Sequence, residues 1–135
     1  MARYYIDTSI WMDVLEDRKG YGDEPLGEYA LKLFSMIRSK KDVIVISDIL
    51  MKELLGYYSL DQVNGMLRPF FVLKIFTSKK QDRIAIKIAE RRNLPKGDVL
   101  HAILAKDSGS VLVTRDKHFE KLVDICNYYK PEELI

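Results

Sequence analysis

Four acidic residues stand where the chain turns from apolar to polar, or where an apolar helix face is interrupted: Asp7, Glu53, Asp98 and Asp116. Asp7 follows Tyr4-Tyr5-Ile6, and Asp116 follows Val111-Leu112-Val113 by way of Thr114-Arg115. Glu53 shares one side of a helical wheel with Ile49, Leu50 and Tyr57. An unpaired charge buried there is costly, so it calls for protonation, a basic partner or a metal. Asp98 opens Val99-Leu100-His101-Ala102-Ile103-Leu104-Ala105, in a position suited to an N-cap. Taken singly, Asp7, Asp98 and Asp116 each have a bland explanation as helix caps or turn residues. Ser9 is available to cap a helix beginning at Ile10, which frees Asp7 to point elsewhere.

What gives the acids a common purpose is the set of elements that must carry them. Five short apolar segments are expected to be strands: Arg3 to Ile6, Val43 to Ile46, Phe71 to Ile75, Val111 to Val113 and Ile125 to Tyr128. Stretches with helical period lie between them. These run from Ile10 to Leu15, Leu26 to Ile37, Ile49 to Tyr57, Leu60 to Leu67 and Ile84 to about Asn93. A further helix spans Val99 to Ala105 and stops at Ser108-Gly109, and His118 to Leu122 makes a last turn. Alternation of strand and helix argues for one α/β domain over 1–135 with a parallel sheet covered on both faces. Right-handed crossovers then place the C-terminal ends of successive strands on one edge, where ligands of such sheets bind. The switches after Ile6, Ile46 and Val113 all fall on that edge.

Convergence of four carboxylates has an electrostatic consequence. Two like charges about 5 Å apart repel by about 3 kcal/mol at an effective dielectric of 20. A hard divalent cation with oxygen ligands, Mg²⁺ or Mn²⁺, relieves this. Zinc is disfavoured, because two histidines and one cysteine show no ligand spacing. His101 and His118 are expected to be packing or surface residues.

Composition narrows the remaining classes. The chain has 135 residues, 47% hydrophobic and 31% charged, which supplies one sizeable core and excludes a disordered chain. A net charge of +2 permits a nucleic-acid partner without requiring one. The single cysteine, Cys126, excludes an intramolecular disulfide, and no apolar run suffices to span a bilayer. A cytoplasmic protein with no membrane segment is the natural expectation.

The quoted residues also carry a resemblance. Tyr4-Tyr5-Ile6-Asp7-Thr8-Ser9-Ile10-Trp11, Ile46-Ser47 with Glu53-Leu54, Gly97-Asp98-Val99-Leu100-His101-Ala102, and Val111 through Phe119 are similar, in order and spacing, to the PIN-domain nucleases. These include the VapC-type toxins of prokaryotic toxin–antitoxin pairs. The resemblance implies a three-layer α/β/α domain with a mostly parallel five-stranded sheet, often dimeric, and metal-dependent endoribonuclease activity on RNA. It implies Asp7, Glu53, Asp98 and Asp116 as the catalytic, metal-holding acids, with Thr114 and Ser9 in support. The chain departs from toxin members in Ile103-Leu104, where small residues are common, and in the stiffer entrance Leu94-Pro95-Lys96-Gly97.

Phosphate binding needs cations beside the acids, and Lys96, Arg115 and Lys117 are the candidates, with Lys79-Lys80 and Arg91-Arg92 extending the track. An apolar patch on the first helices offers a surface for a homodimer or an antitoxin. Two rival readings are a noncatalytic RNA-binding or protein-interaction module on the same fold and another phosphate enzyme on a parallel sheet. Against the second, a haloacid-dehalogenase-like phosphatase needs an Asp where Ser9 stands, and a nucleotide-binding Gly-rich loop is missing.

Overall fold

Tyr4, Tyr5 and Ile6 are all buried, as a strand covered on both faces requires. They belong to β1 (Arg3–Ile6), the middle strand of a five-stranded sheet. The computed structural model describes residues 1–135. After β1 come α1 (Thr8–Glu16), α2 (Leu26–Lys40), β2 (Val43–Ser47), α3 (Asp48–Leu55), α4 (Leu60–Leu67) and β3 (Phe71–Ile75). The second half holds α5 (Lys79–Arg92), α6 (Lys96–Asp107), β4 (Val111–Val113), a 3-10 helix (Lys117–Leu122), β5 (Tyr128–Tyr129) and a 3-10 turn (Pro131–Glu133).

The strand order is β3-β2-β1-β4-β5 and every pairing is parallel. Helices α1 and α2 pack as one pair and α5 and α6 as another, giving a three-layer α/β/α domain. A single cluster of buried apolar side chains joins the layers. No helix is long and apolar enough to cross a membrane.

Helix ends follow local chemistry. Ser59 and Ser78 form capping boxes with Gln62 and Gln81, each cap contributing ~1 kcal/mol. Asn93 ends α5 in the left-handed region at φ 53°, which asparagine tolerates better than most residues.

Several boundaries differ from expectation, α5 for one beginning at Lys79 and not at Ile84, and two of them matter for the acids. Helix α1 begins at Thr8, so Asp7 occupies the N-cap position without capping through its side chain. Ser9 lies inside the helix, and its hydroxyl donates to Asp7 Oδ2 at 3.1 Å instead of capping. Helix α6 begins at Lys96 behind Pro95, whose φ of −60° is already helix-like. Asp98 therefore lies in the first turn, where the helix dipole favours an acid, and is not the cap. The last strand is only two residues long, because the N–H groups of Ile125 and Cys126 both donate to Leu122 O and close a turn.

Candidate metal centre

The end of β1 delivers Asp7, and the end of β4 delivers Thr114 beside it. Thr114, fully buried, donates its hydroxyl to Asp7 Oδ2 at 2.8 Å and accepts from the Asp116 N–H at 3.1 Å. One threonine thus fixes the first and fourth acids to each other. Both donors to Asp7, Thr114 and Ser9, use Oδ2, which leaves Oδ1 free to face the edge.

Glu53 reaches the same place from α3. Thr8 donates to its Oε2 at 3.1 Å, and His101 Nε2 lies 2.6 Å from Oε1. His101 is buried on α6, one turn beyond Asp98, and its Nδ1 lies 2.6 Å from the Tyr5 hydroxyl. That hydroxyl is 2.6 Å from Ser47 Oγ, which in turn accepts from Leu50 N–H at 3.1 Å.

Leu50 donates to Ser47, and His101 Nε2–H donates to ionised Glu53. A neutral imidazole accepts from the Tyr5 hydroxyl at Nδ1 while Ser47 donates to Tyr5, and an imidazolium reverses both of these bonds. Both imidazole nitrogens are engaged, so His101 orients Glu53 and offers no lone pair to a metal.

The remaining two acids meet at the start of α6 and of the 3-10 helix. Asp116 Oδ1 accepts from the His118 N–H at 2.9 Å, so the capping explanation does hold for this residue. His118 Nδ1 lies 2.8 Å from Asp98 Oδ2 and 3.3 Å from Asp116 Oδ1. The potential ligand atoms accordingly form two groups, Asp7 with Glu53 and His101, and Asp98 with Asp116 and His118, each lying within 4.8 Å of one another.

Charge links the groups. Burial pushes the Asp7 carboxyl above its ordinary value, the Thr114 bond, His101 and Ser9 draw it back, and Glu53 adds to the rise. Burial likewise raises Asp98, against the His118 hydrogen bond, and the charges of Asp116 and Asp7 raise it further. Burial also pushes Glu53 up, but the hydrogen bond and charge of His101 and the Thr8 hydroxyl outweigh it, leaving Glu53 below its usual range. Burial drives the Tyr5 phenol far up, so it stays a hydroxyl donor.

None of the four carboxylates pairs with a lysine or arginine; their only basic partners are the two histidines. An oxygen-rich, uncompensated donor set on a sheet edge fits a divalent cation.

The expected phosphate cations fare differently. Lys117 is exposed and makes no ion pair. Lys96 Nζ is held by Asp82 Oδ1 at 2.6 Å. Arg115 is turned away from the acids, with NH1 and NH2 on Glu132 at 2.9 and 2.7 Å and Nε 3.4 Å from buried Asp13. Its donors are spent on tying the β4 loop to α1 and the C-terminal turn.

His101 is buried and His118 exposed, as expected of packing and surface residues, and each in addition contacts one of the acids. Spacing offered one clue. Asp98 and His101 stand three apart at the start of a helix and so share a face. A tyrosine in a wholly apolar strand offered another, because a buried phenol seeks a partner.

Residues 4–125 match the family model for the PIN domain. The fold is similar to a chain from a toxin–antitoxin complex of Klebsiella pneumoniae, with a TM-score of 0.61, 18% identity, and coverage of 95% of this chain and 97% of that one. It is also similar to a crystal structure of a protein from Pyrobaculum aerophilum, with a TM-score of 0.59, 18% identity, and coverage of 98% and 86%. At such identities the likeness is one of fold. No curated protein matches the chain significantly.

Proposed function

We propose that this chain, which belongs to the PIN-domain family, is an endoribonuclease that hydrolyses RNA phosphodiesters with a bound Mg²⁺ or Mn²⁺. The observation that carries this reading is four carboxylates gathered at one sheet edge with no lysine or arginine to neutralise them.

Asp7 through its free Oδ1, Asp98 and Asp116 would hold the cation, and Glu53 would bind it or a water attached to it. When bound, the cation would supply positive charge to a phosphate oxygen and make a coordinated water more acidic. The chain's own residues do the positioning. Thr114 and Ser9 hold Asp7 by one oxygen, and the Tyr5–His101 pair keeps Glu53 ionised and aimed. Lys117, beside Asp116, exposed and unpaired, would meet a phosphate. Hydrolysis by a water attacking in line leaves 5′-phosphate and 3′-hydroxyl ends.

Toxin function within a toxin–antitoxin pair is the narrower form of the proposal, supported by the likeness to a chain from such a complex. A cleft of about 160 Å³ between α1, α2 and α4, entirely apolar and flanked by exposed Leu15 and Leu31, supports an antitoxin or a second copy as occupant. Light scattering of the purified chain, alone and with a Leu31→Glu variant, reads the dimer.

The test of the activity is incubation of single-stranded and structured RNA with Mn²⁺-loaded protein, chelator-treated protein and Asp7→Asn, with the ends mapped. Cutting that depends on metal and on Asp7 is expected. Metal-independent cutting, or equal rates in Asp7→Asn, ends the proposal, and RNA binding without cleavage moves the chain to a noncatalytic module.

A further inference from the structure

The C-terminal edge of the sheet continues past the acids to β3, and what lies there has no part in the metal centre. Phe76 follows β3 directly and is 76% exposed. Lys74 and Phe76, two residues apart, both line a cleft of about 290 Å³ that Met51 closes from α3. At Asp48 this cleft meets an open groove of about 530 Å³, whose lining includes Lys79 and Arg83 of α5, Ile49 of α3 and Leu100 of α6.

The helices that carry the acids also line the groove. Ile49 is one turn from Glu53 on the same face of α3, and α6, which carries Asp98 and His101, contributes Leu100. Along the edge, β2 alone separates β3 from β1, so Phe76 stands about two strand spacings, or roughly 10 Å, from the strand that ends in Asp7. That distance is within the span of neighbouring nucleotides in an extended strand.

The charges fit an anion. Lys74, Lys79 and Arg83 are exposed and unpaired. The two acids in the groove are already engaged: Asp48 Oδ1 accepts from the Thr77 backbone and hydroxyl at 3.1 and 2.7 Å, and Asp82 holds Lys96. Helix α5 as a whole carries six cations and two acids, a net of +4 against +2 for the whole chain, and Lys79 and Arg83 are the two of these cations that line the groove. An exposed aromatic ring beside unpaired cations on a shared groove is the combination that binds unpaired nucleotides, through base stacking and phosphate contact together.

We propose that this stretch of the edge is a subsite for single-stranded RNA, in which Phe76 stacks on an unpaired base and Lys79 and Arg83 contact phosphates of the same strand. The subsite rests on the ribonuclease reading for its purpose but not for its test. It selects unpaired over duplex substrate, because a base inside a helix cannot reach the ring.

The test is binding of a short unstructured oligoadenylate, and of its duplex with oligouridylate, to the full chain in chelator so that nothing is cut. Phe76→Ala is expected to weaken single-strand binding about tenfold and to leave duplex binding unchanged. Phe76→Trp is expected to retain affinity, and its emission to be quenched by the single strand, against the constant background of buried Trp11. Replacing both Lys79 and Arg83 by Gln is expected to reduce the slope of log affinity against log salt by about 1.4, two contacts at ~0.7 each. Unchanged single-strand affinity in Phe76→Ala overturns the subsite. So does a change in oligomeric state in that variant without a change in affinity, which assigns the face to a second copy. Normal cleavage by Phe76→Ala with normal binding rejects the subsite and spares the nuclease. Stacking on Phe76 in a parent that never cuts does the reverse.

Discussion

His101 Nε2 donates to Glu53 Oε1 across 2.6 Å, from a ring whose other nitrogen is held by Tyr5 at the same distance. Glu53 is therefore oriented by a chain of bonds that starts at the backbone of its own helix, at Leu50, and returns to it through β1 and α6. Removing the phenol hydroxyl leaves the imidazole free to change tautomer or turn without altering the packing. Tyr5→Phe and His101→Gln are expected to weaken Mn²⁺ binding roughly 10–100-fold, as loss of an outer partner does at metal sites. Calorimetric titration checks this without any substrate. Tight binding in both variants would show that Glu53 needs no such support.

Opposite shifts at Asp7 and Glu53 predict opposite stability effects in the metal-free protein. Asp7 is raised in the folded state by burial, so its favourable contribution is present below the ordinary carboxylate range and is lost as pH rises through its folded value. Glu53 is lowered, with His101 outweighing burial, so its contribution is present above the ordinary value and is lost as pH falls through the folded one. At neutral pH in chelator, Asp7→Asn is expected to raise Tm and Glu53→Gln to lower it. Shifts of about 3 °C correspond to ~1 kcal/mol in a domain of this size, the Glu53 effect being the smaller because its side chain is 41% exposed. Thermal melts at neutral and acid pH decide, and two shifts of the same sign at neutral pH refute the account.

Apolar runs made β1, β2 and β4 readable, since a strand buried on both faces has no polar alternation to obscure it. By contrast β3, an edge strand with exposed Phe71 and Lys74, was legible from its β-branched and aromatic residues. Ile125-Cys126 has the same character and yet forms a turn, because the preceding 3-10 helix takes both N–H groups at Leu122. The acids were readable from where apolar segments end. Their partners were not, because the bonds from Tyr5 to Ser47 and His101 span 42 and 96 residues. Ser9 was given two roles, helix cap and support for Asp7, and only the contact with Asp7 is found, since the helix starts at Thr8. Arg115 shows the limit most clearly: proximity to Asp116 suggested a phosphate contact, while its direction is set by Glu132 and by Asp13 on another helix.

That direction predicts a variant with two separable readouts. Arg115 is 19% exposed and Asp13 5%, which places the pair between an exposed ion pair worth up to ~1 kcal/mol and a buried one whose disruption costs ~3–5 kcal/mol. Arg115→Ala is expected to destabilise the fold by about 2 kcal/mol in denaturant titration. The salt slope of RNA binding is expected to stay as in the parent, whereas Lys117→Ala reduces it by about 0.7. A lower slope in Arg115→Ala with unchanged stability would place the guanidinium on the substrate after all.

His118 stands where a cation between Asp98 and Asp116 would stand, its Nδ1 2.8 Å from one carboxylate and 3.3 Å from the other. Metal and imidazole cannot both fill the space between those oxygens, so a cation entering there displaces the ring toward solvent, where half of its side chain already lies. Deleting the ring removes a competitor and leaves two carboxylates uncompensated. His118→Ala is therefore expected to tighten Mn²⁺ binding, by no more than about fivefold because an exposed pair is worth up to ~1 kcal/mol, and to lower Tm slightly in chelator. Were Nε2 instead to swing in as a ligand, the same variant would bind Mn²⁺ more weakly. Titration of parent and variant at one pH and salt concentration separates displacement from ligation by the sign of the change alone.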